Sequence, residues 1–124
     1  HLKVTHDKQK DWLHFDWMGF QTDEHSKLGG VKMIEYLKTK NCHKILNDNT
    51  HLSGAWAGSV DRVADSLIPN LIKIGLKSFA WVYSGNTYAN LSTKRVIKRV
   101  NEKYKDHFFM CDSIKEAEVW LSKR

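Results

Sequence analysis

The side chains best suited to chemistry follow a short apolar run near the middle of the chain. Asn47, Asp48 and Asn49 come directly after Ile45–Leu46, and a glycine-containing segment separates them from the next helical pattern. Ligands of open α/β sheets gather at the carboxyl ends of strands, where amides and carboxylates can hold a polar group. Asx side chains also fix turns by accepting bonds from nearby backbone N–H groups. The segment Asn47–Trp56 therefore predicts a binding loop, with a purely structural loop as the alternative.

Asp48 and His51 raise the question of catalysis, because a carboxylate can orient an imidazole for general acid–base chemistry. No nucleophile completes a triad with them, and Ser53-Gly54 does not form a nucleophile-elbow motif. None of the seven histidines pairs at i, i+4 around a glutamate, and no glycine-rich phosphate loop is present. The sequence thus predicts no metal and no cofactor. A hydrolase using Asp48 and His51 is kept as an alternative to a non-enzymatic module.

Trp56 belongs to the same segment and follows Gly54 by two positions. A loop tryptophan either closes the top of the core or anchors a contact, because its ring buries a large area with little entropy loss. A pocket bounded by Trp56, Trp81 and Tyr83 would suit a small apolar ligand or a lipid. The full set of predicted binding residues is Asn47, Asp48, Asn49, His51, Ser53, Trp56, Trp81 and Tyr83.

The net charge of +6 is concentrated in one stretch of the chain. Its basic residues are predicted to share one face of a helix, opposite an apolar face, and they are Lys94, Arg95, Lys98, Arg99, Lys103 and Lys105. Such a face can simply be solvated, or it can meet an acidic protein or a membrane surface. Nucleic acid is disfavoured, because no aromatic side chain alternates with the basic ones and no recognised motif is present.

Hydrophobic periodicity predicts the elements that must position these residues. Strands are predicted at Leu2–Asp7, Trp12–Met18, His43–Asn47, Ser78–Tyr83 and His107–Cys111. Helices are predicted from Thr22 or Asp23 to about Asn41, from Ser59 to Gly75 with a kink at Pro69, from Ser92 to Lys105, and from Ser113 onward. The order ββαβαβαβα indicates an α/β fold with a mostly parallel five-stranded sheet and an antiparallel N-terminal edge strand.

Length and composition fit one domain spanning residues 1–124, with 41% hydrophobic and 27% charged residues. No apolar run approaches the ~20 residues of a membrane span, and no signal-peptide pattern is present. The chain begins at His1 rather than Met, which is compatible with a trimmed N-terminus and a removed signal. Cys42 and Cys111 are interpreted as reduced thiols of a cytoplasmic protein, with a disulfide as the alternative.

The element order resembles the SpoIIAA-like fold of STAS domains, the anti-sigma-factor antagonists. The segments Trp17–Gln21, Leu46–Asn49 and Phe79–Tyr83 are also similar to small bacterial STAS/Sec14-type proteins of unassigned function. The resemblance implies a non-enzymatic binding or regulatory module with a protein partner or a small apolar ligand, and a homodimer is among the alternatives. Antagonist domains carry a phosphorylated serine after an aspartate. Ser53 follows Leu52 instead, so a phosphoswitch is not supported.

Overall fold

A five-stranded sheet runs through the computed structural model, which describes residues 1–124. Its strands are β1 (Leu2–Asp7), β2 (Trp12–Phe20), β3 (Lys44–Ser53), β4 (Ser78–Val82) and β5 (Phe108–Cys111). The order across the sheet is the order along the chain. β1 pairs antiparallel with β2, and every other neighbouring pair is parallel. The predicted α/β fold with an antiparallel N-terminal edge strand is confirmed.

The helices divide unequally between the two faces of the sheet. They are α1 (Asp23–Thr39), α2 (Val60–Arg62), α3 (Ile68–Lys73), α4 (Thr87–Arg99) and α5 (Ile114–Ser122). Right-handed crossovers between successive parallel strands carry α1 to α4 to one face, where Phe15 and Phe79 belong to the larger apolar core. On the other face, Leu121 of α5 packs in a smaller cluster with Leu46 and Val82. None of the helices combines the length and apolar character needed to cross a membrane.

Strand β3 runs on to Ser53, so the loop predicted after Asn47 is wrong over most of its length. Asn47 lies opposite Trp81 of β4 within the sheet. The exposed fractions of Asn47, Asp48 and Asn49 are only 3%, 1% and 4%. Asn47 and Asp48 bond to side chains of β2, and Asn49 accepts a bond from Asn47. These bonds outweigh the turn preference of Asx residues. The predicted polar loop is therefore the buried centre of a strand.

Helix α1 begins as predicted, because the Thr22 hydroxyl accepts a bond from the His25 N–H at 3.1 Å. Asn41, with φ of 49°, ends the turn after the helix in the left-handed conformation predicted for it. Two consecutive glycines inside a helix, Gly29-Gly30, predict either close packing against a neighbouring element or no specific role. A Cβ at Gly29 would lie 2.0 Å from Cη2 of Trp17. Close packing of α1 on β2 is therefore the reason that no side chain fits there.

The helical segment between β3 and β4 is irregular. A 3₁₀ turn at Ala57–Ser59 leads into α2, and a π-helical turn at Val63–Leu67 separates α2 from α3. The kink predicted at Pro69 is seen as this irregular region, since proline has no N–H to donate to a helical hydrogen bond. Ser59 takes the predicted N-cap position of α2, but its side chain makes no capping bond. Its hydroxyl instead donates to Asp23 Oδ1 at 2.7 Å and ties this segment to the start of α1.

Helix α4 starts at Thr87, five positions before the predicted Ser92, and ends at Arg99. The Asn86 side chain caps it by accepting a bond from the Ala89 N–H at 3.0 Å. The predicted helix to Lys105 is wrong at its end, where Val100 is extended and a separate 3₁₀ turn covers Glu102–His107. The six basic residues therefore lie on two elements rather than on one helix face.

We expect Asn86→Ala to lower the free energy of unfolding by about 1 kcal/mol, because the first turn of α4 loses its side-chain acceptor. Urea denaturation monitored by circular dichroism measures this change. Lys98→Ala, an exposed substitution on the same helix, should stay within about 0.5 kcal/mol of wild type. Equal effects of the two substitutions would show that the cap contributes nothing.

Both cysteines are free and buried. Cys42 precedes β3 and Cys111 ends β5. Burial raises the pKa of the Cys111 thiol to about 11. Burial likewise raises the pKa of the Cys42 thiol, so both side chains are neutral thiols near pH 7.

Candidate functional site

The predicted binding residues on β3 divide between the two faces of the sheet, because side chains alternate along a strand. Asn47 and Asn49 lie on the face covered by α1 to α3, where both line a cavity. Asp48 points to the opposite face, where it bonds to His14. The structure therefore forms two separate candidate sites where the sequence predicts one.

The cavity has a volume of about 60 Å³ and lies between the sheet and the first helices. Strands β2, β3 and β4 form its floor, and α1 and the π-helical turn form its walls. Fourteen residues line it, and none of them carries a charge. Trp56 is half-buried at one wall and stacks on Trp81, with ring centroids 5.8 Å apart and an interplanar angle of 18°. Trp56 thus both closes the core and bounds the cavity.

Hydrogen bonding in the cavity wall is incomplete. Trp17 Nε1 donates to Asn47 Oδ1 at 2.8 Å, and Asn47 Nδ2 donates to Asn49 Oδ1 at 3.3 Å. The indole N–H groups of Trp56 and Trp81 are buried and have no partner in the protein. A buried donor without an acceptor costs roughly 1–3 kcal/mol. Trp56 and Trp81 both line the cavity, and an acceptor supplied there by a ligand would reduce this cost.

Two predicted binding residues, Ser53 and Tyr83, belong to neither candidate site. Ser53 is exposed at the end of β3, opposite Phe20. Tyr83 is not a lining residue, and the predicted pocket of Trp56, Trp81 and Tyr83 is wrong in that member. The reason is that β4 ends at Val82 and Lys94 of α4 lies over the Tyr83 ring, with Nζ 5.7 Å from its centroid.

The opposite face carries a buried carboxylate with a defined set of partners. Asp48 Oδ2 lies 3.0 Å from His14 Nε2, and Asp48 Oδ1 accepts bonds from the Thr50 N–H and hydroxyl. Burial would raise the pKa of Asp48, but the bonds from His14 and Thr50 outweigh it and hold the pKa below its usual range. Asp48 is therefore ionised near neutral pH.

The Asp48–His51 pair of the hydrolase alternative does not form. His51 Nδ1 lies 3.6 Å from Asp16 Oδ1, while Asp48 is engaged with His14. The register of β2 against β3 shifts between Asp16 and Met18, because β3 has one residue more than β2 over this stretch. Alternation along β2 already predicts that His14 and Asp16 share a face, but their meeting with β3 depends on strand order and register.

Trp17 and Met33 are cavity residues that the sequence assigned only to the core. The periodic spacing of apolar residues is the same whether their side chains face a packed core or a cavity. The glycine pair at positions 29 and 30 is the one signal that could have drawn attention to Trp17. It predicts that another element packs closely on α1, but it does not identify the residue that does so.

Most of the basic residues have partners within the chain. Arg99 pairs with Asp61 and Asp65, and Lys105 Nζ lies 3.4 Å from Glu102 Oε2. Lys94 and Lys103 lie over the rings of tyrosines. Arg95 and Lys98 are exposed and form no ion pair. The predicted basic face is thus mainly engaged in local contacts.

Comparison with known proteins gives no match. No protein-family profile, curated protein or solved structure matches this chain. The SpoIIAA-like resemblance accordingly stays a prediction, and the chemistry of the two sites is the basis for assigning a function.

Proposed function

We propose that this protein is a non-enzymatic binding module whose cavity takes a small neutral molecule with an apolar body and a hydrogen-bond acceptor. The observation that carries the proposal is that Trp56 and Trp81 both line the cavity and that their buried indole N–H groups have no partner in the protein. A carbonyl or ether oxygen supplies the acceptor that each donor lacks. Apolar lining residues such as Met33 and Phe79 would contact the rest of the ligand.

The uncharged lining supports a neutral ligand over an ion. Burying a charge without a counter-charge is far more costly than burying a hydrogen-bonded amide or carbonyl. No lysine, arginine or histidine lies among the lining residues to neutralise a carboxylate. The preferred chemistry is therefore that of amides, ketones or esters.

The cavity volume sets the size of the ligand. About 60 Å³ is several times the roughly 10–15 Å³ that one water needs, and less than the cavity of about 150 Å³ known to hold benzene. A ligand of a few non-hydrogen atoms fits as the walls stand. A lipid chain, the larger alternative, requires Trp56 to move away from Trp81.

The resemblance to SpoIIAA-like domains is compatible with this proposal. Sec14-type proteins imply a small apolar ligand, and STAS antagonists imply regulation through a protein partner. In our proposal the ligand site is the cavity. A protein partner, a bacterial origin and a cytoplasmic location are implied by the resemblance alone. The buried Asn47, Asp48 and Asn49 are not available for the surface contacts that the sequence suggested.

Propionamide and propionate form a matched pair of probes, since they have the same number of non-hydrogen atoms and differ in charge. We expect propionamide to bind with a dissociation constant of roughly 1 mM or weaker, and propionate to bind at least about tenfold more weakly. Titration followed by ¹H–¹⁵N NMR should shift the indole resonances of Trp56 and Trp81. Tighter binding of propionate, or shifts confined to other tryptophans, would contradict the proposal.

Trp56→Phe keeps an aromatic wall and removes one of the two indole donors. We expect this variant to bind propionamide several-fold more weakly, by the loss of about one hydrogen bond. Trp120→Phe is the matched control, because Trp120 belongs to α5 and stacks on Phe109 on the opposite face of the sheet. Equal affinity of both variants for propionamide would show that the Trp56 N–H does not contact the ligand.

A further inference from the structure

Four metal-ligating side chains meet on the face of the sheet opposite the cavity. His14 and Asp16 come from β2, and Asp48 and His51 come from β3. Ligand atoms of His14, Asp16 and Asp48 all lie within 4.8 Å of one another. His51 extends the group, since its Nδ1 is 3.6 Å from Asp16 Oδ1. The group contains two imidazoles and two carboxylates and is separate from the cavity.

The spacing of these atoms fits one small cation. Two ligands that are each about 2.1 Å from a tetrahedral metal lie ~3.4 Å apart. The separations of 3.0 Å between His14 Nε2 and Asp48 Oδ2 and 3.6 Å between His51 Nδ1 and Asp16 Oδ1 fall on either side of that value. The ligand atoms of His14, Asp16 and Asp48 already lie close enough for one ion. The exposed His51 side chain would have to rotate toward that ion to become the fourth ligand.

The Asp48 carboxylate is held in place before any ion arrives. Thr50 donates two bonds to Asp48 Oδ1 and leaves Oδ2 facing His14. Groups that fix the orientation of a ligand in this way raise the affinity of metal sites. Asp16 Oδ1 is shielded from solvent and accepts no hydrogen bond. An unpaired, shielded carboxylate oxygen is costly, and a cation between Asp16 and Asp48 would compensate for it.

An ion can reach this group from solvent. The side chain of His51 is 64% exposed and that of His14 is 29% exposed. Helix α5 packs on the other part of this face, against residues such as Val82 and Cys111. The outer half of the sheet, which carries His14 and Asp16, stays open.

We propose that His14, Asp16, Asp48 and His51 form a binding site for a divalent transition-metal ion of the zinc type. Two imidazole nitrogens with two carboxylate oxygens suit Zn²⁺, Co²⁺, Mn²⁺ or Fe²⁺ better than Mg²⁺ or Ca²⁺, which take oxygen ligands almost exclusively. The site is independent of the cavity and of the ligand proposed for it.

A second cluster provides the competing location. His6, Asp11 and Cys42 also place their ligand atoms within 4.8 Å of one another. The Cys42 Sγ is already engaged with the backbone carbonyls of Asp11 and Lys44, at 3.3 and 3.4 Å. Both clusters contain three residues, but only the His14 cluster has a further imidazole, that of His51, beside it. The His14 cluster is therefore the stronger candidate.

Isothermal titration with Zn²⁺ alone tests the proposal on the full chain. We expect one ion per chain, with Asp16→Asn and His51→Ala each weakening binding at least about tenfold. His25→Ala, an exposed histidine on α1, is the control and should bind as wild type does. Circular dichroism without metal checks that each variant is folded, and His51→Ala carries the test if Asp16→Asn is unfolded, because the His51 side chain is mostly exposed.

The proposal fails if wild type takes up no Zn²⁺, or if His51→Ala and folded Asp16→Asn bind like wild type. It also fails if Cys42→Ser removes binding and the Co²⁺ complex of the wild type shows thiolate-to-cobalt absorption. That result would place the ion at Cys42. A Co²⁺ complex without thiolate absorption, unchanged in Cys42→Ser, supports the nitrogen and oxygen ligands of the His14 cluster.

Discussion

Gly29→Ala is expected to lower the free energy of unfolding by about 3 kcal/mol. The new Cβ would lie 2.0 Å from Cη2 and 2.8 Å from Cζ3 of Trp17. The indole cannot move aside freely, because it is buried and its Nε1 donates to Asn47. Alanine gains roughly 1 kcal/mol over glycine in helix propensity, which is less than the cost of displacing the ring. Thermal unfolding should show a Tm lower by about 10 °C.

Two comparisons show whether Trp17 is the cause. Gly58→Ala adds a Cβ with nothing within 4 Å, and its effect should stay within about 0.5 kcal/mol. In a Trp17→Phe background the atoms nearest to position 29 are absent, so Gly29→Ala should cost clearly less there than in wild type. The same cost in both backgrounds would rule out the contact with Trp17. Because Trp17 also lines the cavity, folded Gly29→Ala should lose propionamide binding as well.

Asn47→Ala is expected to cost about 3 kcal/mol of stability, near the upper end for a hydrogen-bonded buried group. Asn47 is the acceptor for Trp17 Nε1 and the donor to Asn49 Oδ1. Its removal adds another buried indole N–H without a partner to those of Trp56 and Trp81. The shift of the urea midpoint at an unchanged slope measures the loss.

Asn70→Ala is the matched control for Asn47→Ala, since Asn70 is an exposed asparagine on α3. It should leave the midpoint nearly unchanged. Asn47→Leu in the Trp17→Phe background removes the indole donor together with its acceptor. It should cost less than Asn47→Ala alone, because only Asn49 Oδ1 then loses a buried partner. If the double variant is no more stable than Asn47→Ala, the hydrogen bond is not what Asn47 contributes.

The fold was largely predictable because its elements are regular in the sequence. Alternation along β2 placed Phe15 and His14 on opposite faces, and helical spacing of apolar residues revealed α1 and α5. The Ser113 cap of α5 is confirmed, with its hydroxyl accepting the Glu116 N–H at 3.1 Å. These signals are local, and local patterns can be read from the sequence.

The length of β3 and the division of its side chains were not predictable from local patterns. A run of Asx residues predicts a turn unless distant residues satisfy them. Here Trp17 and His14 do so across 30 and 34 positions of the chain. The His14 cluster depends in addition on the register shift between Asp16 and Met18, which no single strand reveals. Sequence periodicity thus predicted the strands and helices, while the residues that meet at each site depend on pairing between strands.

The sequential order of the strands bears on how the chain folds. From β3 onward, each new strand joins the edge of a sheet that already exists, so no strand has to be inserted between two others. Each parallel pairing spans only the one crossover between successive strands, so the sheet can grow in step with synthesis. Helix α5 is the exception to this stepwise order. It is the last element of the chain, and it packs on the face of the sheet opposite α1 to α4. Until it docks, the strip that includes Leu46, Ala80 and Val82 is exposed to water, and association of nascent chains is most easily initiated there.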